Sequence, residues 1–123
     1  MRKIFISAGH SNKTGRDRGA AGNGYVEGVL AVNFRNKVVA NLKKLGANVT
    51  IDGDDSILQD TLNFFRKQVN DDAIVLEFHF NAGTPAATGT ESLVGVDADR
   101  LDKAIAADFC TATAETLGIK HRG

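Results

Sequence analysis

The segment Lys3-Ile4-Phe5-Ile6-Ser7-Ala8-Gly9-His10, near the amino terminus, decides the fold of this chain. Lys3 to Ala8 is a short, mostly apolar run closed by a glycine, which is typical of a strand buried inside a sheet. His10 follows directly, at the carboxyl end of that strand. In an open α/β sheet, functional sites gather outside the carboxyl ends of the strands. The segment therefore predicts a buried first strand with a candidate site residue at its end.

Outward from this segment, four strand-like runs alternate with three helix-like runs. The later strands are expected at Asn48 to Ile51, Ala73 to Phe80 and Thr90 to Val96. Apolar residues recur every three or four positions, as in amphipathic helices, over Val26 to Leu45, Leu58 to Val69 and Leu101 to Ala112. Strands that alternate with helices predict an α/β fold, a single domain with a mostly parallel central sheet flanked by helices in three layers.

Length and composition limit the class of protein. The 123 residues include 15 basic and 15 acidic side chains, and this balance argues against a nucleic-acid partner. No apolar run approaches the roughly 20 residues that a membrane helix needs, so we expect no membrane insertion. The run Ile4-Phe5-Ile6 is also too short for the core of a signal peptide. Because Cys110 is the single cysteine, a metal site would have to use histidine and carboxylate ligands.

If the strands are parallel, His79 and Glu27 also fall near this edge of the predicted sheet. Glu77 and His79 share one face of the third strand, and a buried strand rarely carries both without partners for them. Glu27 begins the first helix, directly after the glycine-rich loop Gly9 to Gly24. Two imidazoles and one carboxylate from separate elements match the protein ligands of a catalytic zinc site. Each residue also has a structural explanation, as a loop histidine, a core histidine or a helix-start acid, so spacing alone leaves the site open.

The motifs around these residues resemble the zinc-dependent N-acetylmuramoyl-L-alanine amidases found in bacterial autolysins and phage endolysins. The matching pieces are the strand ending in Gly9-His10, the glycine-rich loop leading to Glu27, and the segments Leu45-Gly46-Ala47-Asn48-Val49, His79-Phe80-Asn81-Ala82 and Gly89-Thr90-Glu91. The resemblance implies that His10, Glu27 and His79 bind one zinc ion per chain and that Asn81 contacts substrate. It also implies hydrolysis of the amide bond between N-acetylmuramic acid and L-alanine in peptidoglycan. The partner would then be a muramoyl-peptide of the cell wall or periplasm.

The resemblance implies one residue that this sequence lacks. In the family, a Glu on a later strand takes the proton of the attacking water, and no Glu follows Gly118 here. We therefore expect residues 1–123 to be a C-terminally incomplete amidase domain without its last strand or strands. Glu77 is expected to orient the His79 imidazole, and Glu91 to be structural or to face substrate, so each is a poor substitute for the catalytic acid. The catalytic residue stays unassigned, and we expect zinc binding with little or no hydrolysis.

Alternatives to an active amidase remain open from the sequence. An amidase-like domain without its catalytic acid would be a cell-wall or metal-binding module. A flavodoxin-like nucleotide-binding domain is favoured if the two histidines lie far apart, and Gly22-Asn23-Gly24 is a weak match to a nucleotide-binding glycine pattern. For an amidase, we expect an open substrate groove between the glycine-rich loop and the loop around Pro85. Holin-dependent export, secretion with a removed leader and delivery on a phage particle are all compatible with the sequence.

Overall fold

The computed structural model describes residues 2–13 and 15–123, and these fall into two units that divide between residues 82 and 83. The first unit contains a parallel three-stranded sheet. Its central strand is β1 (Ile4–Ala8), with β4 (Val49–Ile51) on one side and β5 (Ile74–Phe78) on the other. Because β1 is paired along both edges, it is the most buried strand, and Phe5, Ile6 and Ser7 have no exposed surface.

Helices cover both faces of this sheet. Phe34 of α1 (Glu27–Lys44) packs edge-on against Phe78, with ring centroids 5.0 Å apart. Phe65 of α2 (Leu58–Gln68) packs in the same manner against Phe5, at 5.8 Å. Phe5 is paired with Val75 and Ala8 with Phe78, so Phe5 and Phe78 point to opposite faces of the sheet. The predicted α/β class, with a parallel sheet between helical layers, is therefore confirmed.

A buried cation links the helices of the first unit. Arg35 of α1 is 1% exposed and pairs with the carboxylates of Asp54 and Asp52, the latter at 3.6 Å. Asp52 in turn accepts a hydrogen bond of 2.5 Å from the Thr61 hydroxyl of α2. Burial raises the pKa of Asp52 above its usual value. Side chains of the segment after β4 therefore contact both α1 and α2.

The glycine-rich segment Gly9 to Gly24, predicted to be a loop throughout, contains a short strand. Its end forms a small antiparallel hairpin, in which β2 (Ala21–Gly22) pairs with β3 (Tyr25–Val26). Asn23 and Gly24 at its tip have φ values of 50° and 80°, as a two-residue type I′ turn requires. Asn-Gly is the strongest short-range sequence sign of such a turn. Gly22-Asn23-Gly24 therefore forms a hairpin tip rather than a phosphate-binding loop.

The second unit contains α3 (Arg100–Leu117). Asp99 caps the helix by accepting hydrogen bonds from the amides of Leu101 and Asp102, and Gly118 ends it in a left-handed conformation with φ 63°. Among the described residues, no helix has both the length and the apolar character needed to cross a bilayer.

The predicted fourth strand, Thr90 to Val96, is wrong. Thr90 forms one isolated parallel bridge with His121, and Ser92 donates its amide to the carbonyl of Gly123. Leu93 and Val96 are 90% and 100% exposed. An apolar run becomes a strand only where another backbone extends beside it, and within the described residues that pairing is confined to the start of this run. The third strand also ends earlier than predicted, at Phe78 rather than Phe80.

Candidate metal centre

The three side chains that were predicted to bind metal lie together at one edge of the sheet. His10 follows β1, Glu27 is the first residue of α1, and His79 follows β5. One ligand atom from each lies within 4.8 Å of the others, and the two imidazole centroids are 5.0 Å apart. The cause is the parallel pairing of β1 with β5, which brings their carboxyl ends side by side. The separation of the histidines that would have favoured a nucleotide-binding domain is not observed.

Glu27 lies between the two imidazoles. Its Oε2 is 3.3 Å from Nε2 of His10, and its Oε1 is 3.0 Å from Nδ1 of His79. Each oxygen also accepts a backbone amide at 2.9 Å, Oε2 from Ala20 and Oε1 from Phe80. Burial opposes ionisation of this 6% exposed residue, but the two amides and His79 outweigh it and hold its pKa below the usual value. Glu27 is therefore an ionised, oriented carboxylate.

Each imidazole also contacts a carboxylate through its other nitrogen. Nδ1 of His10 is 3.1 Å from Oδ2 of Asp17, and Nε2 of His79 is 2.9 Å from Oε1 of Glu77. Ser7 is fully buried and donates its hydroxyl to Oε2 of Glu77 at 2.7 Å. Histidine ligands of metal sites commonly contact carboxylates in this way, which fixes the ring orientation.

These contacts shift the ionisation of the groups involved. Burial would lower the pKa of His79, but hydrogen bonds to Glu77 and Glu27 outweigh it and raise that pKa above its usual value. The amide of Gly19, followed by the His10 ring, holds the pKa of Asp17 below its usual value. Sequence reasoning anticipated the contact of Glu77 with His79 but missed Asp17, because its position depends on the path of a loop.

Two glycines make room for the ligands. A Cβ on Gly9 would lie 2.5 Å from both ring nitrogens of His79. Gly19 has φ 75°, and a Cβ there would lie 2.5 Å from Cδ2 of His10 and 2.6 Å from Oε2 of Glu27. His10 itself has φ 65°, a conformation that costs a non-glycine residue about 1–3 kcal/mol. The backbone therefore lies close to the three side chains, and His10, a predicted ligand, adopts an unfavourable backbone conformation there.

A cavity of about 180 Å³ opens beside the predicted ligands. Its wall includes Asp17 of the glycine-rich loop and Leu58 at the start of α2. The groove expected between the glycine-rich loop and the loop around Pro85 stays a prediction. The lining residues, all of the first unit, are Ala8, His10, Asp17, Ser56, Ile57, Leu58, Thr61, Glu77 and His79.

The remaining predicted site residues lie outside this cluster. Asn81 is exposed, two residues beyond His79, and does not line the cavity. Glu91 belongs to the second unit, where its carboxylate pairs with Arg122 at 3.3 Å. The roles expected of Asn81 and Glu91 therefore stay predictions.

The donor set fits zinc. Two imidazole nitrogens and one carboxylate oxygen are common protein ligands of catalytic zinc sites, which keep a further position for water or substrate. One ligand atom from each side chain lies within 4.8 Å of the others, and the carboxylates of Asp17 and Glu77 contact the remaining nitrogen of His10 and of His79. This arrangement can hold a divalent cation next to a cavity.

Known proteins are similar to this chain in both sequence and fold. A sequence model of the family described as N-acetylmuramoyl-L-alanine amidase matches residues 4–123. The chain is 30% identical over 122 residues to the uncharacterized protein YqiI of Bacillus subtilis (strain 168), covering 98% of this chain and 58% of that protein. A Neisseria meningitidis crystal structure, provisionally designated an N-acetylmuramoyl-L-alanine amidase, matches with a TM-score of 0.74 and 32% identity, covering 99% of this chain and 64% of that one. The chain thus spans less than two thirds of either relative.

Proposed function

This chain belongs to the N-acetylmuramoyl-L-alanine amidase family, and from that premise we propose that it carries the zinc site of an enzyme that cleaves peptidoglycan. The bond cleaved would be the amide between N-acetylmuramic acid and L-alanine. The observation that carries the proposal is the convergence of His10, Glu27 and His79 within 4.8 Å, beside a cavity. The family name supports the reaction, and the donor set supports the metal.

In this proposal His10, Glu27 and His79 hold the zinc ion. When bound, zinc supplies a Lewis acid for the scissile carbonyl oxygen and lowers the pKa of a water molecule. Glu27 contributes the only negative charge among the three, and the amides of Ala20 and Phe80 keep it ionised and aimed. Glu77 holds the His79 imidazole in place, and the cavity admits substrate groups adjoining the amide.

Proton transfer is not assigned to either remaining glutamate. Both oxygens of Glu77 are engaged, one with His79 and the other with the Ser7 hydroxyl, so Glu77 serves to position the ring. Glu91 is engaged with Arg122. We therefore expect residues 1–123 to bind zinc but to release peptide from peptidoglycan slowly or not at all. The same observation favours a second candidate function, an amidase-like module that binds cell wall without cleaving it.

Zinc content is the first test. The chain is stripped with a chelator, reloaded and analysed for bound metal, and wild type is expected to carry one zinc. His10→Ala and His79→Ala should lose it, whereas His121→Ala, which changes the histidine of the second unit, should retain it. Wild type without zinc, or equal loss in all three variants, would contradict the proposal.

Turnover and wall binding then separate enzyme from binder. Release of peptide from a muramoyl-L-alanyl peptide is followed by chromatography, and retention on purified cell walls by sedimentation. Retention without release supports the binding module. Rapid release by wild type would contradict the slow turnover expected here. If that release were lost in Glu77→Gln or Glu91→Gln while the variant still carried one zinc per chain, that glutamate would be the proton-transfer group.

A further inference from the structure

We propose that Asp17 is a positioning residue of the metal centre, whose carboxylate fixes the His10 ring so that Nε2 faces the metal. The inference rests on the zinc site of the proposed function. Oδ2 of Asp17 lies 3.1 Å from Nδ1 of His10, and its Oδ1 accepts the amide of Gly19 at 3.0 Å. The carboxylate is therefore held by the backbone at one oxygen and holds the ring with the other.

The chemistry of the two groups gives this contact its consequence. A carboxylate only accepts hydrogen bonds, and a neutral imidazole has one N–H and one lone pair. With a metal ion bound between Nε2 and Glu27, the proton of His10 would lie on Nδ1, where Asp17 accepts it. The lone pair is left on Nε2, the nitrogen that lies 3.3 Å from Oε2 of Glu27. The ring is presented to a metal in the tautomer that can bind it.

The backbone around Asp17 joins two of the predicted ligands. The carbonyl of Asp17 accepts the amide of Ser11, next to His10, at 2.8 Å. Three residues on, Ala20 donates its amide to Oε2 of Glu27 at 2.9 Å. The segment 17–20 therefore contacts the surroundings of both His10 and Glu27, and Asp17 is the point where it contacts the imidazole itself.

The exposure of Asp17 makes the idea testable without unfolding the protein. Its side chain is 68% exposed, so removing it deletes little packing. Asp17→Asn keeps an oxygen for either the ring or the Gly19 amide but loses the charge, whereas Asp17→Ala loses both contacts. Asp72→Ala is the matched control, because Asp72 is an exposed acid in the turn before β5, at the opposite end of that strand from His79.

The experiment measures zinc affinity by competition with a chromophoric chelator. We expect Asp17→Ala to bind zinc about 10–100-fold more weakly than wild type, the loss typical of removing a partner of a metal-ligating histidine. Asp17→Asn should fall between the two, and Asp72→Ala should match wild type. Circular dichroism of the metal-free variants verifies that they fold.

A second readout separates positioning of the ring from shaping of the loop. In protein loaded with cobalt, Nδ1–H of His10 and Nε2–H of His79 should each give an exchangeable, metal-shifted proton NMR signal. The signal that Glu77→Gln broadens belongs to His79, and the other is the His10 signal. Asp17→Ala should broaden this signal through exchange with water, while Asp72→Ala leaves it unchanged. Unaltered affinity and an unaltered signal in Asp17→Ala would overturn the inference alone. Failure of wild type to bind either metal would overturn the proposed function together with it.

Discussion

Gly9 lies directly against the imidazole of His79, so that a Cβ at Gly9 would come within 2.5 Å of both ring nitrogens. The same glycine donates its amide to the carbonyl of Phe78 at 2.7 Å, which continues the pairing of β1 with β5 to the edge of the site. Its φ is not in the left-handed region that favours glycine. Glycine is therefore needed here for space around a predicted metal ligand rather than for backbone conformation.

Gly9→Ala is expected to weaken zinc binding strongly while leaving the fold intact. The added methyl group must displace the His79 ring, which is 42% exposed and can swing toward solvent. We expect an affinity loss of at least about tenfold, as for other changes that misplace a metal ligand, with an unchanged circular dichroism spectrum. Gly22→Ala is the control, because a Cβ there meets nothing within 4 Å. Equal zinc affinity in the two variants would show that His79 is not a ligand.

Glu77→Gln is expected to weaken zinc binding by roughly tenfold, because the neutral side-chain amide of glutamine holds the His79 ring less well than a carboxylate does. Ser7→Ala should cause a smaller loss, because it removes only the hydrogen bond that orients Glu77. Chelator competition measures both, with Glu115→Gln, a change at an exposed residue of α3, as the control. A larger effect from Ser7→Ala than from Glu77→Gln would contradict this order of support.

As the pH is lowered, zinc affinity is expected to start decreasing at a higher pH than it would for an unperturbed histidine. Zinc needs His79 unprotonated, and Glu77 and Glu27 raise the pKa of that ring in the metal-free protein. Protons therefore compete with zinc at a higher pH than they would for an unperturbed histidine. Affinity titrations from pH 5 to 8.5 test this, and in Glu77→Gln the fall should begin at lower pH. An onset that is the same in both proteins would remove Glu77 as a cause.

The stability of the metal-free protein is expected to decrease as the pH rises, whereas its zinc affinity increases. Because the folded-state pKa of His79 is raised, its stabilising contribution is fully present below the usual imidazole pKa and is lost as pH rises through the folded value. Urea unfolding of metal-free wild type and His79→Ala, compared across that interval, isolates the contribution. Wild type should lose stability relative to the variant as pH rises, and a relative gain would reverse the sign assigned here.

Arg35→Ala is expected to destabilise the protein by about 3–5 kcal/mol, the usual cost of removing one partner from a buried ion pair. The variant leaves Asp52 buried without its cation and releases Asp54. Urea unfolding gives the free energy change, and Arg66→Ala, an exposed arginine on α2, provides the comparison. Similar stabilities for the two variants would mean that the link between α1 and the segment after β4 contributes little.

The sequence by itself determined the class of the fold. The strand-like runs Lys3 to Ala8 and Ala73 to Phe80, and the helical spacing from Val26 to Leu45, are local patterns that reflect burial on a sheet or along one side of a helix. They also placed His10 after the first strand and His79 near the end of the third, at one edge of the sheet if those strands are parallel. The tertiary structure made these two strands neighbours. The Asn23-Gly24 turn is equally local, and the Asn-Gly pair alone is enough to predict it.

The tertiary structure decided what depends on partners distant in the chain. Asp17 reaches His10, and Gly19 fits between His10 and Glu27, only because the segment before α1 folds back over the ends of β1 and β5. Spacing alone left the ligand set open for the same reason, and a resemblance between motifs was needed to predict it. The run from Thr90 to Val96 has strand-like residues but little neighbouring backbone to pair with in the described chain. Periodicity records which side of an element is buried, whereas loop paths and strand partners are set by contacts that no local pattern contains.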